Sequence, residues 1–247
     1  MADFLTDFIS FDKLVELIKR YAQRDVLLTF HSIGDRDAVG SAVALSEYLP
    51  NSIVAMPDFL TNNARKMLAS VGYDKKISAK FTQTSAVIVT DADNTEVLGP
   101  FAKELADYKG EVLFIDHHLR AEGLDTELPN ASAVYVFSDE SFNSTCSIVY
   151  ALLERLGAKV GKEAATLLVN GMIADSADLQ NASATTFLQL SKLFEIAGTT
   201  YSAIQEEYHS NIPLANRFMT LQDVKRASVE NTGKYLIVFG KATEHAN

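Results

Sequence analysis

The stretch DVLLTFHSIGDRDAVGS, residues 25–41, decides how this chain is read. It opens as a short apolar run that ends at Phe30. It then sets His31, Asp35 and Asp37 within seven residues, with Arg36 between the two acids. An apolar run bounded by polar residues reads as a buried strand. The pattern AVGSAVALSEYL behind it, residues 38–49, reads as a helix. A strand that hands over to a helix through one imidazole and two carboxylates raises an electrostatic problem. Acids this close repel each other unless something cationic sits between them.

The same grammar recurs outward from that stretch. SIVAM (52–56), SAVIVT (85–90), EVLFID (111–116) and SAVYVF (132–137) read as further buried strands. NNARKMLASVG (62–72) and LGPFAKELADY (98–108) read as helices between them. This βαβα order predicts an α/β fold: an open, mostly parallel five-stranded sheet flanked by helices. After residue 143 the pattern turns helical. STCSIVYALLERLG, KEAATLLVNGMIADS, SATTFLQLSKLFEIAG and TYSAIQEEYHSN are amphipathic, giving a helical C-terminal half. LANRFMTLQDVKRASVE (214–230) reads as a connecting helix. KYLIVFG (234–240) reads as one more strand, with no partner visible in the sequence.

The 247 residues are 47% hydrophobic and 22% charged, as in ordinary globular proteins. No apolar run is long enough to span a membrane. The start, MADFLTDFISFDKL, is acidic and does not resemble a secretory signal. Cys146 is the single cysteine, so no intrachain disulfide can form, and a cytoplasmic location is expected. Net charge is −10, and Lys and Arg are scattered rather than gathered into a stripe. Long duplex DNA is therefore not an expected partner. Any nucleic-acid ligand should be short, or gripped through metal and local contacts.

Ligands of open parallel sheets bind outside the carboxyl ends of the strands. Here the first strand ends in HSIGDRD, the third in Asp91 of DAD, and the fourth in Asp116, His117 and His118. GMIADSADLQ adds Asp175, where an apolar helical pattern breaks into a polar loop. Each motif alone has a bland reading as a turn, a capped bend or a helix N-cap. Their shared placement at element ends argues for one site. His31, His117, Asp35, Asp37, Asp91 and Asp175 offer imidazole and hard oxygen but no thiolate. Such donors suit manganese or magnesium better than a structural zinc. Four ionised Asp carry −4 and two divalent ions carry +4, which resolves the electrostatic problem. Two ions sharing a carboxylate can activate water and clamp a phosphoryl oxygen.

These motifs, in this order, resemble the DHH phosphoesterase superfamily, which includes RecJ-type nucleases, short-oligonucleotide phosphodiesterases and family II inorganic pyrophosphatases. The matching segments are HSIGDRDAVGS, IVTDAD, DHH at 116–118 and GMIADS. The resemblance implies one metal held by His31, Asp35 and Asp91. It implies a second held by Asp37, Asp91, His117 and Asp175, with Asp91 bridging. His118 would face the substrate phosphate, and Asp116 would orient the histidine pair. Arg120 would reach a phosphate, or else is an exposed arginine at a helix start. Gly34, Arg36, Ser176 and Leu179 depart from the family pattern without removing a ligand. Members usually carry a C-terminal substrate domain with a glycine- and histidine-rich loop, which this sequence does not show. Residues 1–212 are thus expected to be the metal-binding catalytic domain. Residues 213–247 are expected to be a connecting helix and the start of a second domain, truncated or absent.

The implied activity is manganese-dependent hydrolysis of phosphodiester bonds in nucleotides or short single-stranded oligonucleotides. Two alternatives stand beside it. One is inorganic pyrophosphatase or polyphosphatase activity. The other is a non-hydrolytic protein partner of a nuclease or replication protein.

Overall fold

A computed structural model describes residues 6–73, 77–118, 128–209 and 214–240. Its main sheet uses β1 (Asp7–Phe8), β2 (Val26–Phe30), β4 (Ser52–Val54), β6 (Ala86–Thr90), β7 (Glu111–Asp116) and β8 (Ala133–Ser138). The order across the sheet is β1-β8-β7-β6-β2-β4, and every pairing is parallel. Central strands β2 and β6 are buried at all their positions, and β7 at all but its first residue. Covered on both faces, they read as continuous apolar runs rather than alternating ones. The sheet has six strands where the sequence suggested five. The addition is β1, two exposed residues paired as Asp7↔Tyr135 and Phe8↔Val136. Two residues carry no periodicity from which a strand could be read. A small parallel ribbon joins β3 (Ile33–Gly34) to β5 (Phe59–Leu60).

The helices around the sheet are α1 (Phe11–Tyr21), α2 (Arg36–Ser46), α3 (Asn62–Ser70), α4 (Phe101–Ala106), α5 (Thr145–Arg155), α6 (Lys162–Asp175) and α7 (Ala184–Ala197). Side chains of Ser10, Asp35, Thr61, Ser144 and Ser183 accept first-turn amide hydrogens as N-caps. Helix α2 starts at Arg36, two residues before its apolar pattern, because Asp35 caps it. Asp37 therefore lies inside the helix and not in a loop.

After β2 the chain runs to the edge strand β4 and then returns past β2 to β6. The β2/β6 boundary is thus the point where strand order reverses, which is where open α/β sheets bind ligands. Register places Phe30 beside Thr90 and Thr90 beside Ile115. The next residues in that row are His31, Asp91 and Asp116.

Two glycines let the helices behind this edge come close. A Cβ on Gly40 would meet the Leu167 carbonyl oxygen at 3.0 Å. A Cβ on Gly171 would collide with Cys146 Sγ and lie 2.9 Å from Asp37 Oδ1. Close contact of α2, α5 and α6 thus depends on hydrogen at these two positions.

The described residues from Thr200 onward belong to a second compact unit. It contains α8 (Tyr201–His209), α9 (Leu214–Arg226), β9 (Ser228–Asn231) and β10 (Leu236–Phe239). The strand that lacked a visible partner pairs antiparallel with β9, from Leu236↔Asn231 to Phe239↔Ser228. The connecting-helix reading had absorbed β9. The turn between the strands holds Gly233 at φ 82°, and Thr232 N–H donates to the Tyr235 carbonyl. ENTGKY therefore carried a hairpin signal that the helical pattern before it obscured.

Gly171→Ala should destabilise the protein by about 1–3 kcal/mol, the usual scale for overpacking a filled core. Combining it with Cys146→Ala should restore part of that loss, because the sulfur is the nearest obstacle. Urea unfolding of the single and double variants checks both statements. No restoration would show that Asp37, not the sulfur, sets the limit.

Candidate metal centre

The site begins at the β2/β6 edge. His31 follows β2, and its Nε2 lies 3.3 Å from Asp91 Oδ2 and 3.8 Å from Asp35 Oδ2. Asp35 has two tasks. Its Oδ1 accepts from the amides of Asp37 and Ala38 at 3.0 and 3.1 Å, and its Oδ2 faces His31. The capping and metal-ligand readings of this residue are therefore compatible.

Asp91 sits at the centre. Its backbone is left-handed, with φ 58°, a region that Asp and Asn enter more readily than other residues with a Cβ. Its N–H donates to the Ile115 carbonyl at 2.9 Å, so pairing with β7 continues across the bend. Its Oδ1 accepts from Thr145 Oγ1 at 3.1 Å. A strained conformation held by several partners at a strand end is the kind that functional sites retain.

Asp37 is fully buried and held by the N-terminus of α5. Thr145 N–H donates to Oδ2 at 2.7 Å, and Cys146 N–H donates to Oδ1 at 2.9 Å. The first amides of a helix have no partner within it and sit at its positive end. A carboxylate is the group that satisfies both conditions.

The DHH segment supplies the third wall. His117 Nε2 lies 2.7 Å from Asp175 Oδ2 and 3.8 Å from Asp91 Oδ1. Although buried, this nitrogen makes no hydrogen bond. It is an orphaned donor atom ringed by carboxylates, which is the condition a cation would relieve. His118 behaves differently. Its Nδ1–H donates to Asp116 Oδ1 at 2.9 Å, and its side chain is 58% exposed against 12% for His117. Asp116 Oδ2 is buried without a partner.

Three donor groups emerge within this cluster: His31, Asp35 and Asp91; Asp37, Asp91, His117 and Asp175; and Asp91, Asp116, His117 and His118. Within each group the candidate ligand atoms lie within 4.8 Å of one another. Asp91 belongs to all three. The structure thus brings together the six residues singled out from sequence, with Asp116 and His118 beside them. Arg120 lies outside the described residues.

The electrostatics show a deficit of positive charge. Burial, then the charges of Asp91 and Asp175, pushes the Asp37 carboxyl well above its ordinary value, against the Cys146 amide. Burial and Asp91 raise Asp35. Burial disfavours charge on His31, but its hydrogen bond to Asp91 and the nearby carboxylates outweigh this, so its value is raised. The hydrogen bond to Asp116 lifts His118 to about 9, against burial. A divalent cation among these groups would favour their deprotonated forms.

The sequence reading missed Thr145, Cys146 and Gly171. Ser144 was visible as a helix-start residue in STCSIVY. That its following amides meet a carboxylate more than a hundred residues away was not.

The model of the DHH family N-terminal domain matches residues 25–172, more than half of the chain. A protein of Methanocaldococcus jannaschii without assigned function is 26% identical over 238 residues, covering 94% of this chain and 69% of that one. A Streptococcus agalactiae protein named as a probable manganese-dependent inorganic pyrophosphatase is 29% identical over 204 residues. This match covers 74% of this chain and 58% of the relative. Among solved structures, an exopolyphosphatase-related protein from Bacteroides fragilis superposes with a TM-score of 0.75 at 17% identity. It covers 89% of this chain and 66% of its own, and shows the shared fold.

Divalent-cation binding should release protons, because ligands must be deprotonated to coordinate. Manganese affinity should therefore rise with pH, as the raised Asp35, Asp37 and His31 give up their protons. Calorimetry in buffers of different ionisation enthalpy measures the proton count. A pH-independent affinity with no proton release would contradict this arrangement of donors.

Proposed function

Since the chain belongs to the DHH family, we propose that it is a manganese-dependent phosphoesterase with a two-metal site, acting on nucleotides or short oligonucleotides. One observation carries the reading: two donor groups, one of His31 and Asp35 and one of Asp37, His117 and Asp175, share Asp91. In this reading His31, Asp35 and Asp91 hold one ion, and Asp37, Asp91, His117 and Asp175 hold the other. Magnesium satisfies the same hard donors. When bound, such ions supply a water of lowered pKa and a Lewis-acid clamp on the phosphoryl oxygens.

The chain's own residues do the rest. Asp91 fixes the spacing of the two sets, because its backbone is locked by β7 and its Oδ1 by Thr145. Asp37 is held still by two amides, so a ligand atom is presented without a search through rotamers. His118 is exposed, and Asp116 fixes its Nδ1 and favours its protonated form. It is placed to stabilise negative charge growing on a phosphoryl oxygen.

The Streptococcus agalactiae relative supports a second reading, hydrolysis of inorganic pyrophosphate. Manganese-supplemented assays on phosphodiesters, a linear dinucleotide and pyrophosphate distinguish the two. Hydrolysis of none of them by the wild-type chain would overturn the proposal.

Two substitutions separate metal holding from charge stabilisation. Asp91→Asn keeps a side chain tolerant of the left-handed backbone while removing the shared charge. It should abolish most of the manganese-induced rise in melting temperature. His117→Ala should weaken manganese binding and catalysis together. His118→Ala should leave manganese affinity nearly unchanged and lower kcat by roughly a hundredfold. Manganese titration beside kcat on the best substrate measures both. Equal loss of metal affinity in the two histidine variants would remove the distinction between them.

A further inference from the structure

The cluster opens into a cleft of about 510 Å³ whose lining combines two chemistries. His31, Asp91 and His118 line it together with the apolar Ile33, Ala92 and Val97. Ile33 is 53% exposed and Val97 is 38% exposed. Single exposed apolar residues need no explanation, but two facing the same cleft beside a phosphate-type site do. No Lys or Arg is among the described residues that line this cleft, and Asp93 adds a further acid.

The apolar part of this lining is rigid. Asn94 is buried, and its Oδ1 accepts from the amides of Glu96 and Val97 at 2.8 and 3.3 Å. Leu98 is wholly buried and pins the same loop from beneath. Ser32 N–H donates to the Val97 carbonyl at 2.7 Å, tying this loop to the segment carrying Ile33. On the other side Phe59 N–H donates to the Ser32 carbonyl at 3.3 Å, and Thr61 N–H donates to the Gly34 carbonyl at 2.8 Å. Phe59 is the register partner of Ile33 and is itself 44% exposed. Two exposed apolar side chains, Ile33 and Val97, thus stand on cross-linked segments after β2 and β6, with Phe59 on the neighbouring segment after β4.

We infer that this ledge of Ile33 and Val97 seats the base of a nucleoside phosphate whose phosphate lies against His31, Asp91 and His118. The inference rests on the phosphoesterase reading and names its substrate class. A base is flat and largely apolar on its faces, so it gains from covering aliphatic side chains already fixed in place. The cleft volume lies in the range of small-molecule sites. Inorganic pyrophosphate has no apolar surface to offer the ledge. It also carries more negative charge, into a cleft whose described lining adds Asp93 and no Lys or Arg.

The test compares adenosine 5′-monophosphate with ribose 5-phosphate, which share the phosphate and sugar and differ by the base. Magnesium-loaded protein is used, so that methyl resonances stay visible. Adenosine 5′-monophosphate should move the methyl signals of Ile33 and Val97 by ring current, and ribose 5-phosphate should not. Calorimetry should show adenosine 5′-monophosphate binding roughly tenfold tighter than ribose 5-phosphate, the scale for covering a few methylene groups. In the Ile33→Ser, Val97→Ser double variant that ratio should fall towards one. Both positions are exposed, so the fold should be retained. Equal affinity of the two ligands for the wild type, or unmoved methyl signals with adenosine 5′-monophosphate, would overturn the ledge. Failure of the phosphoesterase reading is seen separately, as absence of manganese-dependent hydrolysis while the base still docks.

Discussion

The buried carboxylate of Asp37 is the constraint around which the rest is arranged. A fully buried acid beside Asp91 and Asp175 is unfavourable unless every oxygen is satisfied. The N-terminus of α5 meets that need with the amides of Thr145 and Cys146. The same helix start sends Thr145 Oγ1 to Asp91. Docking α5 there places Cys146 Sγ against α6, where only a glycine at 171 leaves room. One buried charge thus ties α2, α5, α6 and the end of β6 into a single framework.

That framework explains how an acidic protein can gather a cluster of metal-type donors at one edge. With a net charge of −10, the surface as a whole repels polyanions. The edge where strand order reverses gathers acids more densely still, and the raised positions of Asp35, Asp37, His31 and His118 record the cost of doing so without cations. Divalent ions invert the local sign. The left-handed backbone of Asp91 belongs to the same logic. It turns one carboxylate towards both sets of donors, and the β7 hydrogen bond together with Thr145 keeps it there.

The cleft's hard donors would by themselves serve an ester or an anhydride equally, so any choice between them would depend on the rest of its lining. The apolar side chains of the cleft come from segments that act as connectors in the fold, β3 after β2 and the loop after β6, held by backbone hydrogen bonds and by the buried Leu98. Loops on a rigid scaffold are where specificity is expected to differ among relatives.

The sequence by itself determined the sheet strands from Val26 to Ser138, because strands covered on both faces must be apolar throughout. It also determined the candidate cluster, because hard donors recur where those strands end. It did not reveal β1, which is too short to carry a period, or β9, whose SVEN continues a helical pattern until Gly233 forces the turn. Nor could it show that Asp35 caps a helix while facing His31, or that Asp116 pairs with His118 while His117 is left without a hydrogen bond. Those distinctions depend on direction. Adjacent residues such as His117 and His118 have the same composition and nearly the same position. Only the register of β7 against β6, and the approach of α6 bearing Asp175, decides which ring is enclosed by carboxylates and which is left open to the cleft.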